Sequence, residues 1–283
     1  MTVLEAIQKC TEFLAKKGVE SPRLQTELLL AHLLHMPRMK LYLNFDRAVT
    51  PEEADRLREL VKRRSLREPL QHITGSTSFC GHEMKVSRHV LVPRPETELL
   101  AECGWIFLGG LPGPAAALDF GTGSGCLAIA LAAKCPAAQI TAVDISEEAL
   151  VLARLNAGSN QVDARIQFLS GDGLGALPAG ATFDLIISNP PYIPTAEIPT
   201  LQPEVRDFDP HAALDGGVDG LEFYRTLARL AARHLRSGGR IMVEFGDGQA
   251  DAIRALFEQE KWTVEAVKDD YSQRARILIA SRS

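Results

Sequence analysis

The fold of this chain is indicated most directly by the stretch AALDFGTGSGC at residues 116–126. A short apolar run, typical of a buried strand, passes through three closely spaced glycines into an apolar helical pattern at 126–134. Glycines in such a turn let the backbone pass close to a ligand and leave amide groups free at the start of the helix. The spacing G-x-G-x-G is one residue shorter than the dinucleotide fingerprint G-x-G-x-x-G, so the stretch predicts a ligand loop without specifying the ligand.

Strand and helix patterns alternate from this stretch to the end of the chain. Strands are predicted at 116–120, 140–144, 166–169, 183–188, 240–245, 262–268 and 275–280. Helices are predicted at 126–134, 147–156, 221–235 and 249–259. Repeated βα units favour an α/β fold with a doubly wound, mostly parallel, seven-stranded sheet. Ligands of such sheets bind beyond the carboxyl ends of the strands, and the site is expected there.

The chain before this region has a different character. Residues 1–75 carry apolar residues at helical spacing, and Thr50-Pro51-Glu52-Glu53 is typical of a helix start. Alternating residues on both sides of Gly81 (73–79 and 84–88) predict a β-hairpin. We therefore expect a helical substrate-recognition domain at 1–75, a hairpin linker at 76–91 and a catalytic domain at 92–283.

The formal net charge of −5 is unevenly distributed along the chain. Residues 1–75 hold 13 Lys and Arg against 10 Asp and Glu, a net charge of +3, and the remainder holds 18 against 26, a net charge of −8. Enzymes dedicated to DNA usually present a basic face, so direct nucleic acid binding is not expected. The basic run Lys62-Arg63-Arg64 is interpreted as a solvated helix face, with a partner-binding patch as the alternative.

Composition excludes several other classes of protein. No apolar run approaches the roughly 18 residues that a membrane span needs, and the N-terminus mixes acids and a lysine with its apolar residues, unlike a secretory signal. Five cysteines without a C-x-x-C pair argue against a disulfide framework and fit a reducing cytoplasm. His32 and His35 are three residues apart, but no Cys or acid cluster joins them, so we expect no metal site.

Two acidic residues are candidates for cofactor contacts. Asp144 ends the predicted strand after the glycine loop, where a carboxylate can accept hydrogen bonds from both hydroxyls of a ribose. The alternative for Asp144 is a cap of the helix that begins near Ser146. Asp172 and Gly173 follow the third strand and could meet an adenine amino group, or they could form an ordinary turn.

The sequence NPPY at residues 189–192 carries the chemistry, because it follows the fourth predicted strand at the same sheet edge. An amide nitrogen is a poor nucleophile, so a site that methylates it must accept hydrogen bonds from its N–H groups. The Asn189 side-chain oxygen and the Pro190 carbonyl are two such acceptors. Pro191 offers no competing donor, and Tyr192 offers a flat face for a planar amide or base. A simple proline-rich turn explains the prolines but not the Asn and Tyr.

With these motifs the chain resembles the glutamine-N5 methyltransferases that modify peptide chain release factors, within the class I S-adenosylmethionine-dependent fold. The similarity runs nearly end to end. It includes RPETE at 94–98, DFGTGSG at 119–125, VD at 143–144, NPPYI at 189–193, EVR at 204–206, DGG at 215–217, DGLEFYR at 219–225 and EFG at 244–246.

The resemblance implies that S-adenosylmethionine is the cofactor and that release factors are the protein partners. It assigns cofactor contacts to the following residues: Gly121, Thr122, Gly123, Ser124, Gly125, Asp144, Asp172, Gly173 and Asn189. It assigns contacts with the substrate glutamine to the following residues: Asn189, Pro190, Pro191, Tyr192 and Arg94. Of these, it implies that Asn189, Pro190 and Tyr192 are catalytic. Arg94-Pro95 is also a plausible helix entry, and the proline-containing segment 193–219 is interpreted as a substrate-covering lid.

The expected reaction is methyl transfer to a protein glutamine by a monomeric cytoplasmic enzyme that needs no metal, no membrane and no dedicated general base. Three alternatives differ in class. A DNA adenine-N6 methyltransferase would use the same NPPY site on a flipped base, a nicotinamide-dependent dehydrogenase would use the same glycine loop and Asp144, and a binding module would leave the converging motifs unexplained.

Overall fold

The computed structural model describes residues 1–282, which form two compact units. The helical unit comprises Met1–Ser76 together with Gln202–Phe208. The α/β unit comprises residues 77–201 and the chain from residue 209 onward. The segment 202–208 lies in the part of the sequence that was assigned to the catalytic domain, so the chain passes from the α/β unit into the helical unit and back.

The helices of the described chain are α1 (Val3–Lys16), α2 (Pro22–Leu33), α3 (Arg38–Leu41), α4 (Pro51–Ser65), α5 (Leu70–Thr74), α6 (Pro95–Gly109), α7 (Cys126–Lys134), α8 (Glu147–Ser159), α9 (Pro203–Arg206), α10 (Glu222–Leu230) and α11 (Ala250–Gln259). Short 3-10 turns lie at Asp163–Arg165, Gly173–Ala176, Thr195–Thr200, His211–Ala213 and Ala231–His234. None of the helices within residues 1–282 is long and apolar enough to cross a membrane.

The strands are β1 (Ser76–Phe79), β2 (His82–Lys85), β3 (Ala116–Phe120), β4 (Gln139–Asp144), β5 (Ile166–Ser170), β6 (Phe183–Ser188), β7 (Leu235–Glu244), β8 (Thr263–Asp269) and β9 (Ala275–Ser281). β1 and β2 form a hairpin, and the other seven form one sheet in the order β5-β4-β3-β6-β7-β9-β8. Six of the seven strands run in one direction, and β9 runs antiparallel between β7 and β8. The predicted seven-stranded, mostly parallel sheet is confirmed.

Helix α4 shows how the helical unit follows from its sequence. The Thr50 hydroxyl accepts a hydrogen bond from the Glu53 amide, and the Glu53 carboxylate accepts one from the Thr50 amide. This capping box satisfies two helix-end donors and contributes about 1 kcal/mol. Leu57 then packs with Leu14, Leu29 and other buried side chains of the unit in a core of its own. The helix start predicted at Thr50-Pro51 is confirmed.

The segment 202–208 is attached to the helical unit by a buried ion pair. The Glu204 carboxylate accepts hydrogen bonds from Arg64 at 2.8 Å and from Arg67 at 2.6 Å. Burial opposes the ionisation of Glu204, but the two guanidinium groups outweigh burial and hold the pKa of Glu204 below its ordinary value. The interpretation of Lys62-Arg63-Arg64 as a solvated face is wrong for Arg64, whose side chain is only 5% exposed.

Helices cover both faces of the sheet. Successive side chains of a strand point to opposite faces, so a strand with apolar residues at every position needs a cover on each side. Leu185 and Ile187 face a core that includes Leu100 of α6 and other residues of α6 and α7. Between them, Ile186 faces the opposite core, which includes Phe257 of α11 and residues of α10. Successive residues of β6 thus alternate between two apolar layers, which explains its continuous apolar sequence.

The structure departs from the predicted elements at three boundaries. Ile73 and Thr74 end helix α5, where the Thr74 hydroxyl donates to the Leu70 carbonyl, so the first hairpin strand begins later than predicted. Residues 86–88 lie outside the second hairpin strand. Helix α10 ends at Leu230 and β7 begins at Leu235, because residues 231–234 form a 3-10 turn.

Candidate active site

The glycine loop joins β3 to α7 and is built around a buried carboxyl group. Gly121, Gly123 and Gly125 have φ of 73°, 54° and 83°, a region that favours glycine. The Thr122 hydroxyl donates to Asp119 at 2.6 Å, and the Ala128 amide donates to the same oxygen at 3.1 Å. Asp119 therefore ties the middle of the loop to the first turn of α7.

Asp119 is fully buried, and this burial raises its pKa to about 7 against the opposing hydrogen bonds of Thr122 and Ala128. No role was predicted for Asp119, which is the first residue of the motif DFGTGSG. Its position inside an apolar strand, two residues before the first glycine, was the available signal, because an acid in a buried strand must have a partner.

Asp144 lies at the carboxyl end of β4, where its carboxylate accepts hydrogen bonds from two backbone amides. One carboxylate oxygen accepts from the Gly123 amide at 2.8 Å, and the other accepts from the Ser146 amide at 2.9 Å. The cap of α8 is the Ser146 hydroxyl, which accepts from the Ala149 amide. Each carboxylate oxygen can accept a further hydrogen bond, so Asp144 braces the glycine loop and keeps acceptor capacity for a ligand hydroxyl.

The other residues predicted to contact the cofactor differ in burial and in the groups that they leave free for a ligand. Thr122 and Ser124 are buried, and the Ser124 carbonyl accepts from the Asn156 side chain at 2.9 Å. Thr122 and Ser124 therefore contribute to the predicted cofactor site mainly through the conformation of their backbone. Asp172 is exposed, and Gly173 has φ of 65° and lies beside the Phe120 ring.

The NPPY segment follows β6 and is held from two sides. The Ser188 hydroxyl donates to the Phe120 carbonyl at 2.7 Å, which joins the ends of β6 and β3. The Asn189 side-chain amide donates to the Thr97 hydroxyl at 3.0 Å. Thr97 lies in the first turn of α6, within the RPETE motif. The structure thus brings RPETE, the glycine loop and NPPY to one edge of the sheet.

Tyr192 is closely approached by two glycines, Gly220 and Gly246. The Gln249 side chain donates to the Tyr192 carbonyl at 2.9 Å. A Cβ atom on Gly220 would lie 2.3 Å from that carbonyl oxygen, and one on Gly246 would lie 2.9 Å from the tyrosine ring. Burial, with a smaller effect from Glu244, raises the pKa of the Tyr192 phenol to about 12. Tyr192 is therefore a neutral, rigidly held ring at physiological pH.

Arg94 and Asp209 form an ion pair beside this segment. The Arg94 guanidinium donates to Asp209 at 2.7 Å, and the Asp209 side chain is almost fully buried while Arg94 is partly exposed. Burial raises the pKa of Asp209 to about 6, although the charge of Arg94 opposes the rise. Arg94 is also the N-cap residue of helix α6, which begins at Pro95, so the helix start predicted at Arg94-Pro95 is present together with the ion pair.

Glu244, at the carboxyl end of β7, is a further buried acid at this edge that sequence reasoning did not single out. Its carboxyl group lies near Thr97 and Asn189. The signal was again an acid that ends an apolar strand, here in the sequence IMVEFG at 241–246. Within residues 1–282, no group of three or more His, Cys, Asp or Glu is arranged to hold a metal ion.

Models of two protein families match the chain. The PrmC N-terminal domain matches residues 5–75, and the methyltransferase small domain matches residues 105–200. In fold, the chain is similar to a 16S rRNA methyltransferase of T. Thermophilus that was solved with AdoMet and guanosine, at a TM-score of 0.52 and 21% identity, over 74% of this chain and 50% of that one. The fold and the site define a class I methyltransferase-like protein.

Two relatives identify the family more narrowly. The release factor glutamine methyltransferase of Geobacter sulfurreducens is 46% identical over 91% of this chain and 89% of its own length. The enzyme of the same name from Chlorobaculum tepidum is 40% identical over 95% and 93%. This chain belongs to the release factor glutamine methyltransferase family.

The enclosure of Tyr192 predicts unequal costs for two glycine substitutions. Gly220 and Gly238 have similar φ, 74° and 78°, but a Cβ on Gly238 would meet nothing within 4 Å. Gly238→Ala should lower the free energy of unfolding by about 1 kcal/mol, from backbone strain alone. Gly220→Ala should cost about 1–3 kcal/mol more, because its methyl group collides with Tyr192.

Urea unfolding of both variants, followed by circular dichroism, measures this difference. Gly238→Ala is the matched control for backbone strain. Equal losses would show that Tyr192 is not tightly enclosed.

Proposed function

We propose that this chain transfers the methyl group of S-adenosylmethionine to the side-chain amide nitrogen (N5) of a glutamine in peptide chain release factors. The observation that carries the proposal is that a chain of this family places Asn189, held by Thr97, at the same sheet edge as the glycine loop. A nucleotide-type loop and a fixed amide acceptor at one edge suit methyl transfer to a planar nitrogen.

The cofactor is expected to lie over the carboxyl ends of β3 and β4. The glycine loop supplies a backbone surface without side chains, and Asp144 supplies acceptors for the ribose hydroxyls. Asp172 and Gly173 are the candidates for the adenine side. The sulfonium charge already makes the methyl group reactive, so the protein mainly positions the two reactants.

The acceptor nitrogen is expected to lie between Asn189 and the Pro190 carbonyl, against the Tyr192 ring. Hydrogen bonds from its two N–H groups to these oxygens keep the nitrogen lone pair directed at the methyl carbon. In the transfer the S–CH₃ bond breaks as the N–CH₃ bond forms, the sulfonium becomes a neutral thioether, and one amide proton leaves to solvent. We expect Arg94, which is paired with Asp209, to contact the substrate as well.

The function of a DNA adenine methyltransferase, which would use the same NPPY site, is not favoured by any observation on this chain. Its net charge of −5 opposes attraction to a phosphate backbone, and its relatives carry the release factor name. A dehydrogenase is disfavoured by the same family membership. We expect the enzyme to act as a cytoplasmic monomer without contact to nucleic acid.

Asn189→Ala tests the acceptor role. We expect methyl transfer to fall about 100- to 1,000-fold, because one preorganised acceptor at the reacting nitrogen is lost. Cofactor affinity should be retained in large part, since the glycine loop and Asp144 supply most of the expected cofactor contacts. Transfer of labelled methyl to a release factor and calorimetric binding of S-adenosylmethionine measure the two quantities. Near-normal turnover of the variant would contradict the mechanism.

Asp144→Ala should have the opposite signature. Loss of a charged acceptor should weaken S-adenosylmethionine binding by about 10- to 100-fold, and activity should partly return at saturating cofactor. Glu147→Ala, which removes an exposed acid in the first turn of α8, is the control. Titration calorimetry checks both variants, and equal affinities in the two would leave Asp144 with a structural role only.

The helical unit is the proposed source of selectivity. A glutamine side chain is common, so contacts distant from the reacting atom must choose the substrate. Helix α3 and the following turn expose Met39 and Leu43, at 69% and 85%. The Tyr42 hydroxyl between them donates to buried Glu27 at 2.9 Å, which holds this segment in place. Exposed apolar side chains on a fixed segment are typical of a protein contact.

The double variant Met39→Ser and Leu43→Ser should raise KM for an intact release factor about tenfold, because about 1.4 kcal/mol of apolar contact is lost. Activity on a short glutamine-containing peptide should not change. Ile106→Ser, on an exposed position of α6, is the control for loss of surface apolarity. Unchanged KM for the intact protein in the double variant would refute recognition by this segment.

A further inference from the structure

Glu244 has a buried carboxyl group beside Asn189. The residue is 3% exposed at the carboxyl end of β7. Val243 pairs with Ser188 in the register of β7 with β6, so Glu244 lies beside Asn189. The Thr97 hydroxyl and the Asn189 amide both favour the charged form of the Glu244 carboxyl group. Its Oε2 atom is buried and has no hydrogen-bond partner among the described residues. The group is therefore held in a place where its charge is costly and only partly compensated.

The polarity of hydrogen bonds then determines which way the Asn189 side chain points. An ionised carboxylate can only accept, so it favours the orientation of the Thr97 hydroxyl in which the single proton points toward Glu244. The Thr97 oxygen is then left to accept, and it accepts from the Asn189 amide nitrogen at 3.0 Å. With the amide nitrogen directed at Thr97 and Glu244, the Asn189 carbonyl oxygen must point the other way.

The surroundings of Glu244 place its ionisation in the physiological range. Burial raises its pKa to about 7, Glu96 adds to the rise, and Thr97, Arg276 and Asn189 oppose it. The phenols of Tyr192 and Tyr224 also face it, and Tyr224 donates to the Glu244 carbonyl at 2.7 Å. These groups come from α6, the NPPY segment, β9 and α10, the elements packed against Glu244.

We propose that Glu244 is a positioning residue whose negative charge, relayed through Thr97, orients the Asn189 amide so that its oxygen faces the acceptor nitrogen. The proposal rests on the proposed function, because it assigns Asn189 the role of acceptor. When Glu244 is protonated, the Thr97 hydroxyl is free to donate elsewhere, and nothing prevents the Asn189 amide from turning over. The substrate N–H then meets an NH₂ group instead of an oxygen.

The sign of the pH dependence follows. The charged form of Glu244 predominates above its folded-state pKa, so kcat should be high above pH 7 and should fall as the pH drops below it. Asp119, in the glycine loop, titrates in the same range, and Asp209 titrates near 6. The pH profile alone therefore does not identify the group, and variants of Glu244 and its neighbours are needed.

The test compares kcat from pH 5.5 to 9 at saturating cofactor, with an intact release factor as substrate. Glu244→Gln mimics the uncharged form, so kcat at pH 8 should fall about 10- to 100-fold through misorientation of Asn189. The acidic limb of the profile should disappear, while KM and cofactor affinity remain unchanged. Thr97→Val should also lower kcat, and Thr97→Ser, which keeps the hydroxyl, should restore it.

Glu96→Gln provides a second, independent measurement. Glu96 is exposed and raises the pKa of Glu244, so its neutralisation should shift the acidic limb to lower pH without changing the plateau of kcat. This readout remains decisive if Glu244→Gln fails to fold. Folding of Glu244→Gln is checked at pH 8, where removal of a buried charge should leave its melting temperature at least as high as that of the parent protein.

The outcomes separate the two proposals. An inactive Asn189→Ala together with a Glu244→Gln of normal kcat and unchanged acidic limb would overturn the role of Glu244 and leave the proposed function intact. An unshifted limb in Glu96→Gln would also overturn it. A fully active Asn189→Ala would overturn both, because Glu244 acts through Asn189.

Discussion

The parallel pairing of β3 with β6 is the constraint on which the whole site depends. In this pairing Asp119 lies opposite Ile187, so both strands end at the same edge. The hydrogen bond from the Ser188 hydroxyl to the Phe120 carbonyl then joins the residues at which the strands end. Because β4 flanks β3 on the other side, the strand order reverses here, and a crevice opens between the helices that follow. The glycine loop follows one strand and NPPY follows the other.

Buried carboxyl groups around this edge have a common physical character. Asp119, Asp209 and Glu244 each have a pKa raised by burial, to about 7, 6 and 7. A buried acid is costly, and it is retained where it directs donors that an apolar side chain could not direct. Asp119 directs Thr122 and the Ala128 amide, and Asp209 directs Arg94. Buried acceptors thus hold the glycine loop and Arg94 in place at this edge, which is the arrangement expected when positioning is the main task.

Much of the architecture could be predicted because the signals are local. Apolar runs separated by helical patterns indicated the order of strands and helices from 116 to 280, and glycines with polar residues marked where the loops lie. The position of the site followed from topology, since carboxyl ends of parallel strands share an edge. Segment 202–208 could not be assigned in this way. Its place in the helical unit depends on Arg64 and Arg67, some 140 residues earlier, and no local pattern encodes that pairing.

The sequence by itself determined the class of fold, the glycine loop, and the position of the NPPY segment after a buried strand, because each follows from residue type and short-range spacing. Only the tertiary structure decided which side chains stand behind these motifs. Thr97 meets Asn189 across 92 residues, and Gln249 meets the Tyr192 carbonyl across 57. Glu244 reads in the sequence as the last residue of an apolar strand and becomes part of the site only when β7 is paired with β6. A hydrogen bond requires its donor and acceptor atoms to lie about 3 Å apart, within a few tenths of an ångström. For residues far apart in the chain that distance is set by packing, which residue spacing does not specify.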